Sequence, residues 1–166
     1  PGICGYIASN NQFNATATDN CQVVSLTHNY SPWGNPNNLN GATFPVGQTV
    51  VRWTAVDAKG NISFCYIIIN VNDVEAPVFV NCPEGQTFTI GADANCINGE
   101  IWSIPVATDN CGVTSLVQSS GTPQGTSYGL GQHHIVYTAT DEAGNSTTCS
   151  FTINIVDDET PLLVCQ

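Results

Sequence analysis

The feature that most constrains the fold is a stretch that occurs twice without a gap, at residues 54–77 and at residues 138–161. The two copies are offset by 84 residues. Repetition at a fixed period indicates structural modules in series. The shared positions are Thr54/Thr138, Asp57/Asp141, Gly60/Gly144, Asn61/Asn145, Cys65/Cys149, Ile69/Ile153, Asn70/Asn154, Asp73/Asp157, Glu75/Glu159 and Pro77/Pro161.

Each copy of the stretch has the pattern of a β-hairpin. Residues 51–56 and 65–71 place apolar or β-branched side chains at every second position, which is the period of a half-buried strand. Between them, Asp57-x-x-Gly60-Asn61 predicts a tight turn, because Gly and Asn tolerate the left-handed backbone that such turns need. The second copy repeats this pattern, so two hairpins are predicted.

A second repeated motif lies upstream of each hairpin. Thr-Asp-Asn-Cys at residues 18–21 returns at residues 108–111, now at an offset of 90. The change of offset from 90 to 84 indicates an insertion in the first module, at residues 27–44. The Pro, Gly and Asn content of this segment predicts a surface loop, which Tyr30 and Trp33 would hold in place.

The two offsets also predict the domain organisation. We expect residues 1–75 to form a first repeat that lacks its N-terminal part, residues 76–160 a complete repeat, and residues 161–166 the start of a third. On this interpretation the chain is a window from a longer array. No stretch has the apolar spacing of a helix, so the predicted fold class is all-β, with sandwich domains.

Cysteine usage indicates disulfides and an oxidising compartment. Modules of about 85 residues bury a limited share of their surface and gain much from cross-links. The chain has eight Cys, no Cys-x-x-Cys pair and three His, which favours disulfides over zinc. Disulfides persist outside the cytosol, so we expect a secreted, cell-surface or periplasmic protein.

The charge of the chain excludes one class of partner. The net charge is −11, and Arg52 and Lys59 are the only basic residues. Nucleic-acid binding depends on Lys and Arg that neutralise phosphates, so no nucleic acid is predicted as a partner. No apolar run reaches the length of a membrane span, and no signal peptide is visible.

Taken together, the motifs resemble the hyalin repeat, or HYR domain, over nearly the whole chain. The pattern is Cys-Pro, Thr-Asp-Asn-Cys, Phe-Pro-x-Gly, Thr-Ala-x-Asp-x-x-Gly-Asn-x-x-x-Cys-x-Phe and Asp-x-x-x-Pro. Tyr66-Ile67 departs from x-Phe, and residues 128–131 read Tyr-Gly-Leu-Gly where the motif has Phe-Pro-x-Gly. The matching residues are Cys82-Pro83, 108–111, Gly131, 138–145, Cys149, Phe151 and 157–161 in the second module, and 18–21, 44–47 and 54–65 in the first.

This resemblance implies tandem immunoglobulin-like β-sandwich domains with disulfides, of a four-cysteine subtype. It also implies a role in cell adhesion or extracellular matrix, as repeats of a large extracellular surface or matrix protein. Four cysteines in a module allow three connectivities. A rival to the expected pairs is Cys65–Cys82, a staple between successive modules. The expected pairs are Cys82–Cys149, Cys96–Cys111 and Cys4–Cys21, with the partners of Cys65 and Cys165 outside the chain.

Acidic residues cluster in sequence around the exit of each module. Residues 72–77, Asn-Asp-Val-Glu-Ala-Pro, are loosely similar to the linker with which cadherins bind Ca²⁺ between domains. Carboxylates are ligands that Ca²⁺ takes, whereas the alternative is that Asp57 and Asp141 only cap their turns. The candidate Ca²⁺ ligands are Asp57, Asp73, Glu75, Asp141, Asp157, Asp158 and Glu159.

Three further groups of residues are candidate sites. Asn14, Asn61 and Asn145 lie in Asn-x-Ser/Thr sequons and could carry glycans, although turn formation explains them equally well. Tyr30 and Trp33 could form an aromatic platform for a carbohydrate or receptor, or could anchor their loop by packing. No catalytic motif is present, and we predict that the chain is not an enzyme.

The predicted function is that of a structural or adhesive repeat module in an extracellular cell-surface, matrix or filament-forming protein. Its partners would be neighbouring repeats of the same or identical chains, with glycans or cell-surface receptors as further candidates. The alternatives are a carbohydrate- or receptor-binding module that uses residues 27–44, and a non-catalytic accessory part of a secreted enzyme. No cofactor is predicted apart from the candidate Ca²⁺.

Overall fold

The computed structural model describes residues 2–90, 102–160 and 163–164, and strands are its regular elements there, which confirms the predicted all-β class. The chain divides into an N-terminal unit, Gly2–Asp73, and a C-terminal unit, Val74–Gln166. The domain bounds 1–75, 76–160 and 161–166 stay predictions. The strands are β1 (Tyr6–Ile7), β2 (Val23–His28), β3 (Thr43–Phe44), β4 (Gly47–Asp57), β5 (Ile62–Val71), β6 (Val78–Asn81), β7 (Gln86–Ile90), β8 (Val106–Thr108), β9 (Val113–Ser120), β10 (Gly131–Asp141) and β11 (Ser146–Asp157).

The C-terminal unit is a β-sandwich of two sheets. One sheet has the strand order β7-β11-β10-β9, and the other pairs β6 with β8. The predicted hairpin is β10 and β11, which run antiparallel from Gly131↔Ile155 to Thr140↔Ser146. Alternate residues of this hairpin point into the core, as its period of two predicted. The buried core comprises Trp102, Tyr128, Ile135, Tyr137, Cys149, Phe151, Ile153 and Ile155.

The N-terminal unit repeats this plan with fewer strands. Its main sheet has the order β2-β4-β5, and a second small sheet pairs β1 with β3. The β4/β5 hairpin is in register from Gly47↔Val71 to Val56↔Ile62, so the second predicted hairpin is also confirmed. The Trp53 indole N–H donates to the carbonyl of Phe13 at 3.1 Å, which satisfies its only polar group inside the core. The buried core comprises Ala8, Leu39, Ala42, Phe44, Val51, Trp53 and Ile69.

The inserted segment 27–44 is only partly the surface loop that its composition predicts. Its ends belong to β2 and β3, and it places Leu39, Ala42 and Phe44 in the core, none of them more than 1% exposed. The polar residues make the turns between these anchors, and the Leu39 N–H donates to the Asn14 side chain at 2.8 Å. Apolar residues within a Pro-, Gly- and Asn-rich stretch therefore form part of the core of the N-terminal unit.

Strand β8 of the C-terminal unit has no counterpart among the described strands of the N-terminal unit. Residues 16–18 correspond to β8 at the offset of 90, yet they are irregular in structure. The reason is pairing, because β8 is held by β6, from Val78↔Thr108 onwards. Within the described residues of the N-terminal unit, no strand pairs with residues 16–18.

In the described ranges, no helix has both the length and the apolar composition that a bilayer crossing requires.

Candidate functional site

The repeated Asp-x-x-Gly-Asn motif forms a closed turn at the tip of each hairpin. The Asp57 carboxylate accepts the Lys59 and Asn61 backbone N–H groups at 2.8 Å each, and its second oxygen accepts the Asn61 side-chain amide at 2.6 Å. In the second copy, Asp141 accepts the backbone and side-chain N–H groups of Asn145, both at 2.8 Å. Glycine is needed in the motif because its φ is +85° in one copy and +90° in the other.

These hydrogen bonds shift the acidity of both carboxyl groups in the same direction. At Asp57, the Asn61 side-chain hydrogen bond is the main cause that lowers the pKa below 3.8. At Asp141, burial acts to raise the pKa, but the hydrogen bonds from Asn145 and from backbone N–H groups outweigh it and the pKa is lowered. Both groups are therefore anions that organise a turn.

The second copy of this turn also holds the chain that enters its unit. The Asn145 side-chain amide donates to the backbone carbonyl of Glu75 at 3.1 Å, 70 residues away in sequence. The motif therefore fixes the segment before β6 to the tip of the β10/β11 hairpin. Asn61 occupies the equivalent place in the N-terminal unit.

The structure does not gather the candidate Ca²⁺ ligands. Asp57 and Asp141 use both carboxylate oxygens within their turns, and Asp157 accepts the Glu159 N–H at 3.0 Å. Within residues 2–90, 102–160 and 163–164, no three of the seven candidate carboxylates converge on one point. The Ca²⁺ hypothesis stays a prediction, and the turn-capping alternative accounts for the two residues in the hairpin tips.

Two aspartates that sequence reasoning did not single out organise the Thr-Asp-Asn-Cys motif. Asp19 accepts the N–H groups of Cys21 and Gln22 at 2.8 and 3.1 Å. Asp109 accepts those of Cys111 and Gly112 at the same two distances. The signal was present in the sequence, because an Asp two residues before a chain reversal is typical of an Asx turn.

The C-terminal unit has a disulfide between its two sheets. Cys82, directly after β6, is bonded to Cys149 in β11, with 5.7 Å between their Cα atoms. This is the pair that the resemblance implied, and it joins the two sheets. The rival pair Cys65–Cys82 is not formed, since Cys65 is an exposed free thiol. Cys96 and Cys165 lie outside the described residues. Cys111 is disulfide-bonded, and its expected pairing with Cys96 stays a prediction.

The expected pair Cys4–Cys21 is wrong in this structure. Cys4 is half of a disulfide, whereas Cys21 is an exposed free thiol. Cys4 lies near the start of β4, because it precedes β1, and Tyr6 of β1 pairs with Phe44. Cys21 lies near the end of β4, because it precedes β2, and Val23 of β2 pairs with the last residue of β4. β4 has 11 residues, so its ends are roughly 33 Å apart, far beyond the limit of about 7 Å between the Cα atoms of a disulfide.

The aromatic residues of the inserted segment pack onto the core of the N-terminal unit. The Tyr30 ring lies 4.8 Å from that of Phe44, and its hydroxyl donates to the carbonyl of Thr43. Burial raises the pKa of the Tyr30 hydroxyl. Trp33 packs against the same core, and a Cβ atom at Gly41 would lie 3.1 Å from its ring. These contacts are those of loop anchors, and the ligand-contact role stays a prediction.

The three sequon asparagines and the three histidines all lie within hydrogen-bonding distance of other protein groups. The Asn14 amide donates to Asn11 at 2.9 Å, and those of Asn61 and Asn145 donate to the aspartates of their turns. Their glycosylation stays a prediction. His28 accepts the Tyr30 N–H at 3.1 Å, and His133 contacts the Gly129 carbonyl at 2.8 Å.

A cavity of about 330 Å³ lies in the N-terminal unit, between residues 15–19 and the β4/β5 hairpin. Its walls include Leu26, Trp53, Ala55 and the free thiol residue Cys65. At the equivalent place in the C-terminal unit lies β6, which pairs with β8 and is followed by the half-cystine Cys82. Among the described strands of the N-terminal unit, none occupies this place.

Three known proteins are similar to this chain over most of its length. The chain is 35% identical to hyalin of Lytechinus variegatus over 87% of its own length. It is 32% identical over 84% of its length to a protein of the rat (Rattus norvegicus), the sushi, von Willebrand factor type A, EGF and pentraxin domain-containing protein 1. It is 28% identical over 83% of its length to the serine-rich adhesin for platelets of Staphylococcus aureus. It spans only 26%, 4% and 6% of these three proteins. The chain is an extracellular repeat module of the structural or adhesive class. The profile of the HYR domain matches residues 13–71 and 72–155, one match in each copy of the repeat, and the chain belongs to this family.

Proposed function

We propose that the chain is a load-bearing spacer of an extracellular array, which transmits tension between adhesive or matrix contacts and catalyses no reaction. The observation that carries the proposal is the position of the Cys82–Cys149 bond. It connects the end of the first strand of the C-terminal unit, β6, to the last strand, β11. Tension applied along the chain enters and leaves the unit through these two strands.

A cross-link in this position limits how far the unit can extend. The two half-cystines are 67 residues apart in sequence. Force on the chain passes directly from Cys82 to Cys149 through the covalent bond, so the intervening strands carry no load. The loop of residues 83–148 therefore cannot be extended by the applied tension, even after the flanking residues 78–81 and 150–157 have been pulled out of the sandwich. A module of this type acts as an extensible spacer with a fixed limit.

The experiment is single-molecule extension of the whole chain, held at its two ends. We expect the wild-type C-terminal unit to release only its flanking residues. The Cys82→Ala/Cys149→Ala variant should release roughly 230 Å more, at about 3.5 Å per residue, less the length of the loop that the disulfide of Cys111 keeps closed. Cys21→Ser is the matched control, because it removes a cysteine that is an exposed free thiol. Equal extension of the wild type and the double variant would contradict the proposal.

The adhesive side of the proposal is supported by a relative that is by name an adhesin for platelets. The partners would be neighbouring repeats, and the candidate contact surface for glycans or receptors is the segment 27–44. This second role has weaker support, since Tyr30 and Trp33 pack against the core. A glycan array with the wild type and Trp33→Ala tests it, and binding that survives the substitution, or no binding at all, contradicts it.

Calcium is a separate proposal for the acidic residues of the module exits. Bound Ca²⁺ would stabilise the folded state, because a ligand that binds only the native form raises its stability. A thermal melt with and without EDTA is the measurement. A lower melting temperature in EDTA is the expected result, and identical melts would contradict a Ca²⁺ site.

A further inference from the structure

We propose that the outer face of the β4/β5 hairpin is a docking surface, and that its occupant is the same face of a second copy of the chain. This apolar face consists of Val50, Ile62, Phe64, Tyr66 and Ile68. The contact would join two chains laterally, which a spacer that carries tension as a single chain does not need.

The apolar face points away from the core of its own unit. Val51, Trp53 and Ile69 occupy the inward positions of β4 and β5, and none of them is more than 5% exposed. The alternate side chains of the two strands therefore point outward, and the register places Val50 beside Ile68. The exposed fractions on this face are 51% for Val50, 65% for Ile62, 61% for Phe64, 58% for Tyr66 and 62% for Ile68.

The fold itself does not need apolar residues at these outward positions. At the offset of 84, the first three outward positions of β5 become Ser146, Thr148 and Ser150 in β11. These three residues are exposed although β11 has a strand on each side, β7 and β10. The face is therefore exposed in both units, and its apolar side chains in the N-terminal unit serve something other than folding.

The apolar face is large enough for a contact between two chains. With five large side chains that are half to two-thirds exposed, it presents roughly 500 Å² of apolar surface. A patch of this size is among the largest that a monomer exposes and is often functional. Two such faces together would bury roughly 1,000 Å², which is the lower bound of a specific interface.

Charge favours the N-terminal unit over the C-terminal unit for contact between copies. Of the 13 acidic residues, ten lie in residues 74–166, and both basic residues lie in residues 2–73. Within β2, β4 and β5 the acidic residue is Asp57, whose two oxygens accept hydrogen bonds inside the hairpin tip. Two copies with a net charge of −11 each repel one another. They therefore approach with least repulsion through the apolar face.

The order of side chains along β5 is self-complementary. Ile62, Phe64, Tyr66 and Ile68 place two aromatic residues between two isoleucines. A two-fold axis between Phe64 and Tyr66 would set Phe64 against the partner's Tyr66, and Ile62 against the partner's Ile68. Closed two-fold dimers are the commonest assemblies of identical chains, and their interfaces are self-complementary in this way.

Arg52 is the charged side chain beside the apolar face. It lies opposite Tyr66 in the β4/β5 register and is exposed. In the two-fold arrangement its guanidinium would lie at the level of the partner's Phe64, where an Arg side chain makes a cation–π contact. A guanidinium is weakly hydrated and stacks on aromatic rings, so Arg52 is compatible with the rim of this contact.

The geometry of the two rings disfavours a sugar chain as the occupant. The ring centroids of Phe64 and Tyr66 are 5.8 Å apart, and the ring planes meet at 77°. The rings therefore form no single flat platform, and a sugar chain would stack on only one of them. A partner that brings its own aromatic rings can pack against both, edge to face or offset.

The first test is analytical ultracentrifugation of the whole chain with Cys21→Ser/Cys65→Ser, which removes two exposed free thiols and the cross-links that they would form. We expect a monomer–dimer equilibrium whose dissociation constant rises about tenfold or more in Phe64→Thr/Tyr66→Ser. The new residues are those of β11 at these positions, so the fold should be retained. Val117→Thr is the matched control, because Val117 is 51% exposed in β9 of the other unit. A monomer at concentrations up to about 1 mM, or equal dimerisation of all three chains, would overturn the proposal.

Salt distinguishes this dimer from a contact between the basic residues and the acidic unit of a second copy. We expect the dimer not to weaken from about 50 to 500 mM NaCl, because salt screens the repulsion between two acidic chains. Arg52→Glu should weaken it, because two unpaired carboxylates would enter an apolar contact. A dimer that dissociates as the salt concentration rises would show that the acidic unit is the partner surface, and the proposal would be wrong.

Cross-linking tests the two-fold arrangement. In the same Cys21→Ser/Cys65→Ser background, Ile62→Cys chains are mixed with Ile68→Cys chains and treated with a bismaleimide that spans about 10 Å, the spacing of packed sheets. We expect cross-linked dimers in the mixture and few in either variant alone. Val117→Cys measures cross-linking by random collision. A mixture that cross-links no better than this control, or no better than each variant alone, would overturn the inference.

Discussion

At the residue scale, Gln22 of the N-terminal unit and Gly112 of the C-terminal unit occupy equivalent positions in the repeat. Both follow the cysteine of Thr-Asp-Asn-Cys, and their φ angles are 146° and 102°. The Asx turns of Asp19 and Asp109 impose this conformation by binding the N–H groups of the same two residues. A residue with a Cβ atom is strained in this region of φ, and glycine is not.

The exchange of these two residues gives a paired prediction. We expect Gln22→Gly to stabilise the N-terminal unit by about 1 kcal/mol, since it relieves the strain, and Gly112→Gln to destabilise the C-terminal unit by about 1–2 kcal/mol. No atom lies within 4 Å of a Cβ built at Gly112, so the effect comes from the backbone alone. Urea unfolding of each variant measures it, and effects of equal sign would refute the interpretation.

The hairpin-tip aspartates predict the behaviour of stability in acid. The pKa values of Asp57 and Asp141 are lowered from 3.8 in the folded chain. A lowered native pKa favours folding while the group is ionised, so the contribution is complete above the unfolded value and is lost as the pH falls through the folded one. We expect the urea midpoint to change little from about pH 7 to 5 because of these groups, and to drop below about pH 4.

The matched variants for this prediction are Asp57→Asn/Asp141→Asn and Asp158→Asn. The double variant should lose stability at neutral pH and show a weaker drop in acid than the wild type. Asp158 is exposed and outside both turns, so its substitution should leave the acid limb as in the wild type. An unchanged acid limb in the double variant would show that these carboxylates do not contribute.

At the scale of elements, the two hairpins are the part of the fold that the sequence predicted best, because the repeat shows the same hairpin in two different sequences. The run from Ile62 to Val71 is apolar on both faces, with Phe64, Tyr66 and Ile68 each about 60% exposed. Its own pattern could not select the inward face. The second copy could, because Ser, Thr and Ser stand at 146, 148 and 150 on the face that corresponds to the exposed one.

Other elements could not be predicted because their structure depends on partners distant in sequence. Residues 16–18 have the sequence of β8, but a strand forms only where β6 pairs with it. Cys4 and Cys21 are near in sequence, yet β4 separates them in space. The packing of Leu39 and Ala42 within a polar segment likewise has no periodic signal. Pairing across the fold, and not local propensity, decides these cases.

The Cys82–Cys149 bond gives a prediction about the stability of the C-terminal unit. We expect Cys82→Ala/Cys149→Ala to destabilise the C-terminal unit by about 2–4 kcal/mol, because the bond closes a long loop in the unfolded chain. Cys21→Ser should change stability by less than about 0.5 kcal/mol, as an exposed residue outside the core. Denaturant unfolding under non-reducing conditions measures both, and a double variant as stable as the wild type would contradict the structural role of the bond.

At the scale of the whole molecule, the two units are copies of one sandwich whose described strands differ in number, five in the N-terminal unit and six in the C-terminal unit. The C-terminal unit has β6, β8 and the Cys82–Cys149 bond, whereas the N-terminal unit has a cavity and the free thiol of Cys65 at the same place. A small sandwich with fewer strands buries less surface. We therefore expect the two units to differ in stability, with the N-terminal unit melting first.

Scanning calorimetry of the whole chain, with one core variant in each unit, tests this claim most directly. Phe44 is fully buried in the N-terminal core and Phe151 is 6% exposed in the C-terminal core, and replacing such a residue with Ala costs about 3–5 kcal/mol. The account predicts two transitions, of which Phe44→Ala shifts only the lower and Phe151→Ala only the upper. A single transition that either variant shifts as a whole would contradict it.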